Sequence, residues 1–404
     1  MAKSNNPNPQ NFKKYGVPFY SVAWVPYTSI RFEPKPQQEN TDQHQDDPDQ
    51  SQPAADVPTA DRNYIILAGG GGEGRSGIRN AVLLSEFDAA SYTLSDQPVA
   101  EHRTGSELPY RMAVHPGGDG LICAFPDSCR WFEWDKELSP EGRKLGVKPS
   151  DRVLASLQDV KQQLALAFNN EGSILASGDE DGNLKVFKWP SMEIVLNETK
   201  VHTSGVKDLD FSPDGKLLVC LGRTGCRVWD VISSTPVASP SKANDETFCG
   251  CRFSQTIDKN LVLYTAAVTG KGGSIITWNT TTWKRIGSKF IVSDTILSFD
   301  VSADGKLLAC GTNSGDVYVV NSTRMRIQQV IKNAHLGFVT ALRFSRDSRA
   351  LASSSLESSA RVTIIEEEKK NGGSSSLLFV ILIILIAIAA YFYKNPETLK
   401  ALTG

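Results

Sequence analysis

The chain has 404 residues, with 43 Lys and Arg against 45 Asp and Glu and a formal net charge of −2. A balance this close, with no long basic stripe, leaves no electrostatic footprint for nucleic acid, and DNA and RNA are excluded as expected partners. The length allows two or three average domains or one repeat architecture, and composition does not choose between them.

The first ten residues are polar and proline-spotted, with no apolar core of a secretory signal. Tyr15 to Pro26 alternates as a strand, with Val22 and Trp24 as its inward residues. Residues 33–62 are rich in Gln, Asp, Pro and Asn and hold almost nothing to bury, which predicts a disordered, solvated insertion. Two strand-like runs follow, Asn63–Ala68 and Ala81–Phe87.

Between them lies Gly69-Gly70-Gly71-Gly72-Glu73-Gly74-Arg75-Ser76-Gly77-Ile78-Arg79-Asn80, with six glycines. A turn joining neighbouring strands takes about two to five residues. This connection is longer, and its glycines make it costly to order. It is either a floppy surface loop or a backbone held in place by something. Glycine-rich backbone can turn carbonyls around a cation or N–H groups around an anion, and can approach a partner closely. Gly69, Gly71 and Gly74 satisfy the G-x-G-x-x-G spacing of dinucleotide sites, but Asn80 to Phe87 continues as a strand where that fingerprint needs a helix. A P-loop fails because no Lys-Ser or Lys-Thr follows the glycines.

From Leu108 a motif recurs. Arg111–Gly120, Leu164–Gly172, Asp208–Gly215, Ser298–Gly305 and Ala341–Ser348 each read as a short alternating strand running into a tight turn. A second apolar run follows each, such as Ser173–Gly178 or Lys306–Gly311, and then a third, such as Asn183–Trp189, Gly225–Asp230, Ser274–Asn279 or Asp316–Val320. The turns at Gly172, Gly215, Gly305 and Ser348 repeat at about 43 to 45 residues, with Gly215 to Gly305 counted as two units, the spacing of a four-stranded propeller blade.

This resembles the WD-repeat family, most closely at Trp229-Asp230, Trp134-Asp135 and Ser177–Gly182. The dipeptide is replaced by Trp278-Asn279 and Val319-Val320 elsewhere, and only His202 and His335 stand where the family places its histidine. We predict an all-β fold, a seven-bladed propeller over residues 11–368. Its blades are placed at Tyr15–Arg103, Leu108–Asp135, Lys161–Leu196, His202–Val237, Glu246–Ile286, Asp294–Val330 and His335–Glu368. Linker chemistry at 369–376 leaves no fourth strand for the last blade, so a strand from Asn11 to Val25 is expected to close the ring.

The five histidines, His44, His102, His115, His202 and His335, have no Ser, Cys or carboxylate at diagnostic spacing. The seven cysteines, Cys123, Cys129, Cys220, Cys226, Cys249, Cys251 and Cys310, form no CxxC pair and read as small buried hydrophobes. Leu377 to Tyr393 is an uncharged run of seventeen residues, about 25 Å as a helix. It is expected to be a single transmembrane helix suited to a thin bilayer, followed by a short tail at 394–404.

A propeller with a C-terminal anchor and an early GGGGEG-x-x-GI-x-N loop resembles the SEC-twelve-like family, to which the prolactin regulatory element-binding protein of animals also belongs. The resemblance covers nearly the whole chain. It implies a guanine-nucleotide exchange factor in the endoplasmic-reticulum membrane, with a cytosolic propeller and a lumenal tail, that loads a Sar-type small GTPase with GTP to start COPII vesicle budding. It implies a potassium ion held by the backbone of Gly69, Gly70, Gly71, Gly72, Gly74 and Gly77. It further implies that Asn80 enters the GTPase nucleotide site as the catalytic residue, beside Glu73, Arg75, Ser76, Ile78 and Arg79 as GTPase contacts. The family's usual residue before the asparagine is proline, and Arg79 in its place implies a less rigid loop. The alternative function is a membrane-tethered adaptor for cargo leaving the endoplasmic reticulum, without exchange activity.

Overall fold

The computed structural model describes residues 9–30, 62–74, 76–139, 142–223, 225–256, 258–366 and 374–394. The expected insertion at 33–62 falls outside these but for Arg62, as do the tail beyond Lys394 and most of the linker. The chain divides into two compact units, one ending at Ile365 and one beginning at Glu366.

In the first unit the described strands form seven antiparallel sheets, the seven expected blades. Blade 1 runs outward through Phe19–Trp24, Arg62–Gly69 and Asn80–Asp88, and its outer edge is split between Thr93–Leu94 and Ala100–Gly105. Blades 3, 4, 5 and 6 each take four consecutive strands, beginning at Gln163–Phe168, Asp208–Phe211, Thr247–Gln255 and Ile296–Val301. Blade 7 holds Val339–Phe344, Ala350–Ser355 and Ser359–Ile364, and its outer strand is Phe12–Lys14, paired from Phe12 with Arg361 to Lys14 with Ser359. The N-terminal segment thus closes the ring, and no blade is left with three strands. The inner strand that follows it is shorter than the expected Tyr15–Pro26, and Val22 is buried there while Trp24 is half-buried.

Blade faces pack on one another, which is why second strands read as unbroken apolar or small runs. Gly120–Ala124, Leu307–Thr312 and Ala350–Ser355 are buried at every residue, because a neighbouring blade covers each of their faces. Outer strands such as Thr235–Ala238 are largely exposed. Hydrophobic layers separate successive blades. The layer of Tyr15, Val17, Phe19, Leu67, Leu83, Ala352 and Val362 joins blade 7 to blade 1.

The recurring turns explain the repeat. Ser212 and Ser302 donate to Asp214 and Asp304 at 2.6 and 2.7 Å, and their Oγ atoms accept the N–H of Leu217 and Leu307 at 2.9 Å each. Ser345 and Asp347 repeat the arrangement. Asp230 accepts the N–H groups of Ile232 and Ser233, and Asn279 those of Thr281 and Thr282. The Asn therefore performs the same turn chemistry as the Asp it replaces.

Three details correct the sequence reading. In blade 6 the turn acceptor is Asn321, which accepts from Thr323 and Arg324, so the dipeptide is Val320-Asn321 and not Val319-Val320. Blade 2 does not end at Asp135. Its third strand runs Cys129–Ser139 and a fourth, Gly142–Pro149, pairs back along it, opposing Asp135 to Gly146 in mid-strand. Trp134-Asp135 consequently makes no turn. Blade 5 likewise extends past the expected Ile286, since its outer strand is Arg285–Val292.

In the second unit Ser374–Lys394 is a helix. Its side chains are described at 381–390 and Lys394, and all of these are exposed. Among the described residues no helix is long and apolar enough to cross a membrane.

Candidate functional site

Arg62–Gly69 and Asn80–Asp88 pair in register from Arg62 with Asp88 to Gly69 with Ala81. The chain between Gly69 and Asn80 therefore emerges from two strand ends already side by side, at the end of blade 1 where its second strand passes into its third. Glycine is required where the loop begins. A Cβ on Gly69 would lie 1.9 Å from the Pro18 carbonyl oxygen, and one on Gly70 would lie 2.1 Å from Asn80 Oδ1. Gly70 N–H donates to that same Pro18 carbonyl at 2.9 Å.

Asn80 holds the loop from inside. Its Oδ1 accepts the Gly72 N–H at 2.9 Å, while its Nδ2 donates to the Gly72 carbonyl at 3.1 Å and to the Gly105 carbonyl at 3.1 Å. One side-chain amide thus pairs with both polar groups of a single peptide residue, as a strand neighbour would, and ties it to the outer strand Ala100–Gly105. Asn80 is only 2% exposed. Asn80, which the resemblance implies enters a partner's nucleotide site, points inward in this structure. Burial without bonds would cost the amide its full desolvation, so an inward orientation with three bonds is the stable one.

Arg79 is also firmly placed. Its Nε donates to Glu101 at 2.8 Å and its terminal nitrogen to the Tyr15 carbonyl at 3.1 Å. Glu101 accepts Arg103 as well, at 3.0 Å. The looseness expected from arginine in place of proline is thus offset by an ion pair and a backbone bond. Tyr15 is itself fixed, its hydroxyl within 2.6 Å of Ser85 Oγ and donating to the Ser95 carbonyl at 2.8 Å, and burial raises its phenol pKa. The strap Tyr15–Pro18 therefore supports both ends of the loop. Sequence reasoning missed Tyr15, Pro18, Glu101 and Gly105. Only Arg79, a cation beside the buried Asn80, signalled that an acceptor had to be found for it.

The outward residues are Glu73, Gly74, Ser76, Gly77 and Ile78, all exposed, and Ile78 places an aliphatic side chain 41% exposed at the tip. Ser76 Oγ accepts the Ile78 N–H at 3.3 Å. Arg75 lies outside the described residues. Among the described residues, the bonds within this loop engage the N–H groups of Gly70, Gly72 and Ile78 but only the Gly72 carbonyl. Among the described residues no His, Cys, Asp and Glu cluster could hold a metal ion.

The histidines serve the scaffold. His202 Nε2 pairs with the Cys220 carbonyl at 3.1 Å, and His335 lies between Ser359 and Ser353 at 2.6 and 2.8 Å. Burial drives His335 down to about 3, so it is neutral at physiological pH. All seven cysteines are free, and burial pushes Cys129 and Cys249 up to about 12. His44 lies outside the described residues.

A ring of seven antiparallel blades, with one glycine loop held at the end of blade 1, defines a WD-repeat propeller. The WD domain, G-beta repeat family model matches residues 157–188, 194–230 and 327–362. The chain is 51% identical to SEC12-like protein 2 of Arabidopsis thaliana over 359 residues, 88% of each chain. With SEC12-like protein 1 of the same plant it shares 32% identity over 308 residues, covering 74% of this chain and 75% of that one. It is 25% identical to the guanine nucleotide-exchange factor SEC12 of Rattus norvegicus over 327 residues, 69% and 78% of the two chains. The chain belongs to the SEC12-like family.

Proposed function

We propose that this chain is a guanine-nucleotide exchange factor for a Sar-type small GTPase at the endoplasmic-reticulum membrane, where it starts COPII assembly. The carrying observation is the Gly69–Asn80 loop, whose order is imposed by Asn80, Pro18 and Gly105 and whose tip is left exposed. The chain's likeness to the mammalian guanine nucleotide-exchange factor SEC12 supports the same reading. Exchange needs no covalent chemistry: a factor that binds the empty GTPase more tightly than the loaded one weakens nucleotide affinity by the same factor. A loop ordered beforehand loses less entropy on docking, so more of its contact energy goes into displacing nucleotide.

In this mechanism Asn80 shapes the loop, and Glu73, Arg75, Ser76 and Ile78 meet the GTPase, with Arg79 bracing them from behind. Potassium is the proposed ion, with carbonyls among Gly69, Gly70, Gly71, Gly72, Gly74 and Gly77 as its ligands. A monovalent cation held there would offset the dipoles of the carbonyls that ligate it. Leu377–Tyr393 is the proposed membrane anchor, with a cytosolic propeller and lumenal tail. Seventeen apolar residues span a thin bilayer, and Lys394 can snorkel to its surface.

The second reading is a membrane-tethered adaptor for cargo without exchange activity, which the inward orientation of Asn80 favours. Release of fluorescent GDP from a Sar-type GTPase separates the two. Acceleration by the purified chain is expected, and a wild-type chain that leaves the release rate unchanged leaves only the adaptor.

A further inference from the structure

Two connections of the ring can be compared residue by residue. The one entering blade 4 reads His202-Thr203-Ser204-Gly205-Val206, and the one entering blade 7 reads His335-Leu336-Gly337-Phe338-Val339. Both perform the same structural work. Each histidine is buried and each valine fully so, and each histidine N–H donates to a glycine carbonyl, Gly182 at 3.3 Å and Gly315 at 3.0 Å. The outward positions differ in chemistry. Where blade 4 has the exposed Thr203 and a buried Gly205 at φ +74°, blade 7 has Leu336, 76% exposed, and Phe338, 45% exposed. Since the fold is satisfied by an exposed threonine at the first position, it does not require an apolar side chain there, and Phe338 leaves nearly half of its surface outside the core.

This connection is also continuous with the glycine loop. Leu336 N–H donates to Glu357 Oε1 at 2.7 Å, and the other oxygen of Glu357 pairs with Lys14 Nζ at 2.9 Å. Lys14 precedes Tyr15, whose carbonyl receives Arg79. Underneath, the Phe12 ring lies 6.0 Å from the His335 ring, and Ser359 and Ser353 fix that ring on both nitrogens. Leu336 and Phe338 are thus presented on a braced connection at the same end of the ring as Ile78, one hydrogen-bonded path away from it. Exposed apolar side chains on a pre-ordered support are what interface hot spots require.

We infer that Leu336 and Phe338 form a second, apolar contact for the GTPase that the glycine loop engages, setting the affinity of the encounter while the loop acts on the nucleotide site. The inference rests on the proposed exchange reading. The occupant is the GTPase docked on the glycine loop, because Leu336 and Phe338 are linked to that loop through Glu357, Lys14 and Tyr15.

The test uses the full chain in detergent micelles with a Sar-type GTPase, reading both binding of the nucleotide-free GTPase on a biosensor and GDP release across a concentration series. The double variant Leu336→Ser with Phe338→Ser is expected to need about tenfold more protein for half-maximal release, with an unchanged rate at saturation and an unchanged melting temperature. Leu336→Met with Phe338→Leu, which keeps the contact apolar, should stay within about twofold of wild type. Wild-type acceleration with an identical curve for the serine variant overturns the second contact and leaves the exchange reading intact. Binding without acceleration overturns the exchange reading, and in that case a binding loss confined to the serine variant still upholds the contact. A wild-type chain that neither binds nor accelerates removes both.

Discussion

Replacing Asn80 with alanine separates an internal clamp from a residue that acts on the partner directly. The substitution deletes three hydrogen bonds made by a side chain that is 2% exposed. Each such bond contributes about 0.5 to 1.5 kcal/mol net. Gly72 is half-buried and can recover a water, whereas the Gly105 carbonyl lies at a strand end. The loop should therefore lose about 1 to 3 kcal/mol of local stability. Blade 1 keeps its pairing, so the melting temperature should scarcely move. Hydrogen exchange read by mass spectrometry should show amides 70–80 exchanging about ten- to a hundredfold faster, in step with a loss of GDP release. Asn80→Asp should be worse than alanine. It keeps an acceptor for the Gly72 N–H but turns a carboxylate oxygen onto the Gly72 and Gly105 carbonyls. Loss of GDP release with loop amides as protected as in wild type would refute the clamp and return Asn80 to direct contact.

Other expectations follow from the same geometry. Arg79→Ala and Glu101→Ala remove the two sides of one partly exposed pair, worth about 0.3 to 1 kcal/mol, so each should slow GDP release about two- to fivefold and the double variant should be no slower than the worse single one. Additive losses would separate their roles. Replacing potassium with sodium should slow release and loosen amides 70–80, and equal rates and protection in both salts would remove the cation from the loop. For His335 burial lowers the folded pKa from 6.5 to about 3, so the unfolded chain binds the extra proton between those values. Its contribution is fully present above pH 6.5 and is lost as pH falls toward 3, with a slope approaching about 1.4 kcal/mol per pH unit. Urea midpoints between pH 7 and 4 should fall less steeply in His335→Gln, and identical slopes would contradict a neutral buried imidazole.

How much of this was legible in the sequence depended on whether a feature is local. The Ser-x-Asp-Gly turns are local, because a serine hydroxyl, an aspartate and a residue with positive φ close one turn by themselves. Blade count and the borrowed N-terminal strand followed from them. The extended hairpin of blade 2 was hidden because its continuation, Lys136 to Lys148, is charged and lacks the alternation that marks a buried face. A tryptophan-aspartate pair then suggested a turn where the strand in fact continues. The glycine loop stood out by composition, yet the direction of Asn80 could not be read, since an amide serves equally as an outward hook or an inward clamp. What decides is the Gly105 carbonyl, which strand pairing brings beside Asn80 from twenty-five residues further along.

The placement of the site also has a reason in the closure of the ring. A propeller closed by its own N-terminus must carry the chain from the outer edge of the last blade to the inner strand of the first, and Tyr15–Pro18 is that crossing. The crossing cannot satisfy its backbone in a ladder, so its carbonyls are free to hold something else. Pro18 holds Gly70 and Tyr15 holds Arg79. Lys14, just before it at the end of the outer strand of blade 7, pairs with Glu357 of the same blade. One segment therefore joins three tasks, namely shutting the ring, seating the glycine loop and tethering the connection that bears Leu336. A loop too rich in glycine to order itself gains its rigidity from the junction that closes the ring, and because Tyr15 and Val17 of the strap are packed between blades 7 and 1, changes there will be felt at the loop and at that seam together.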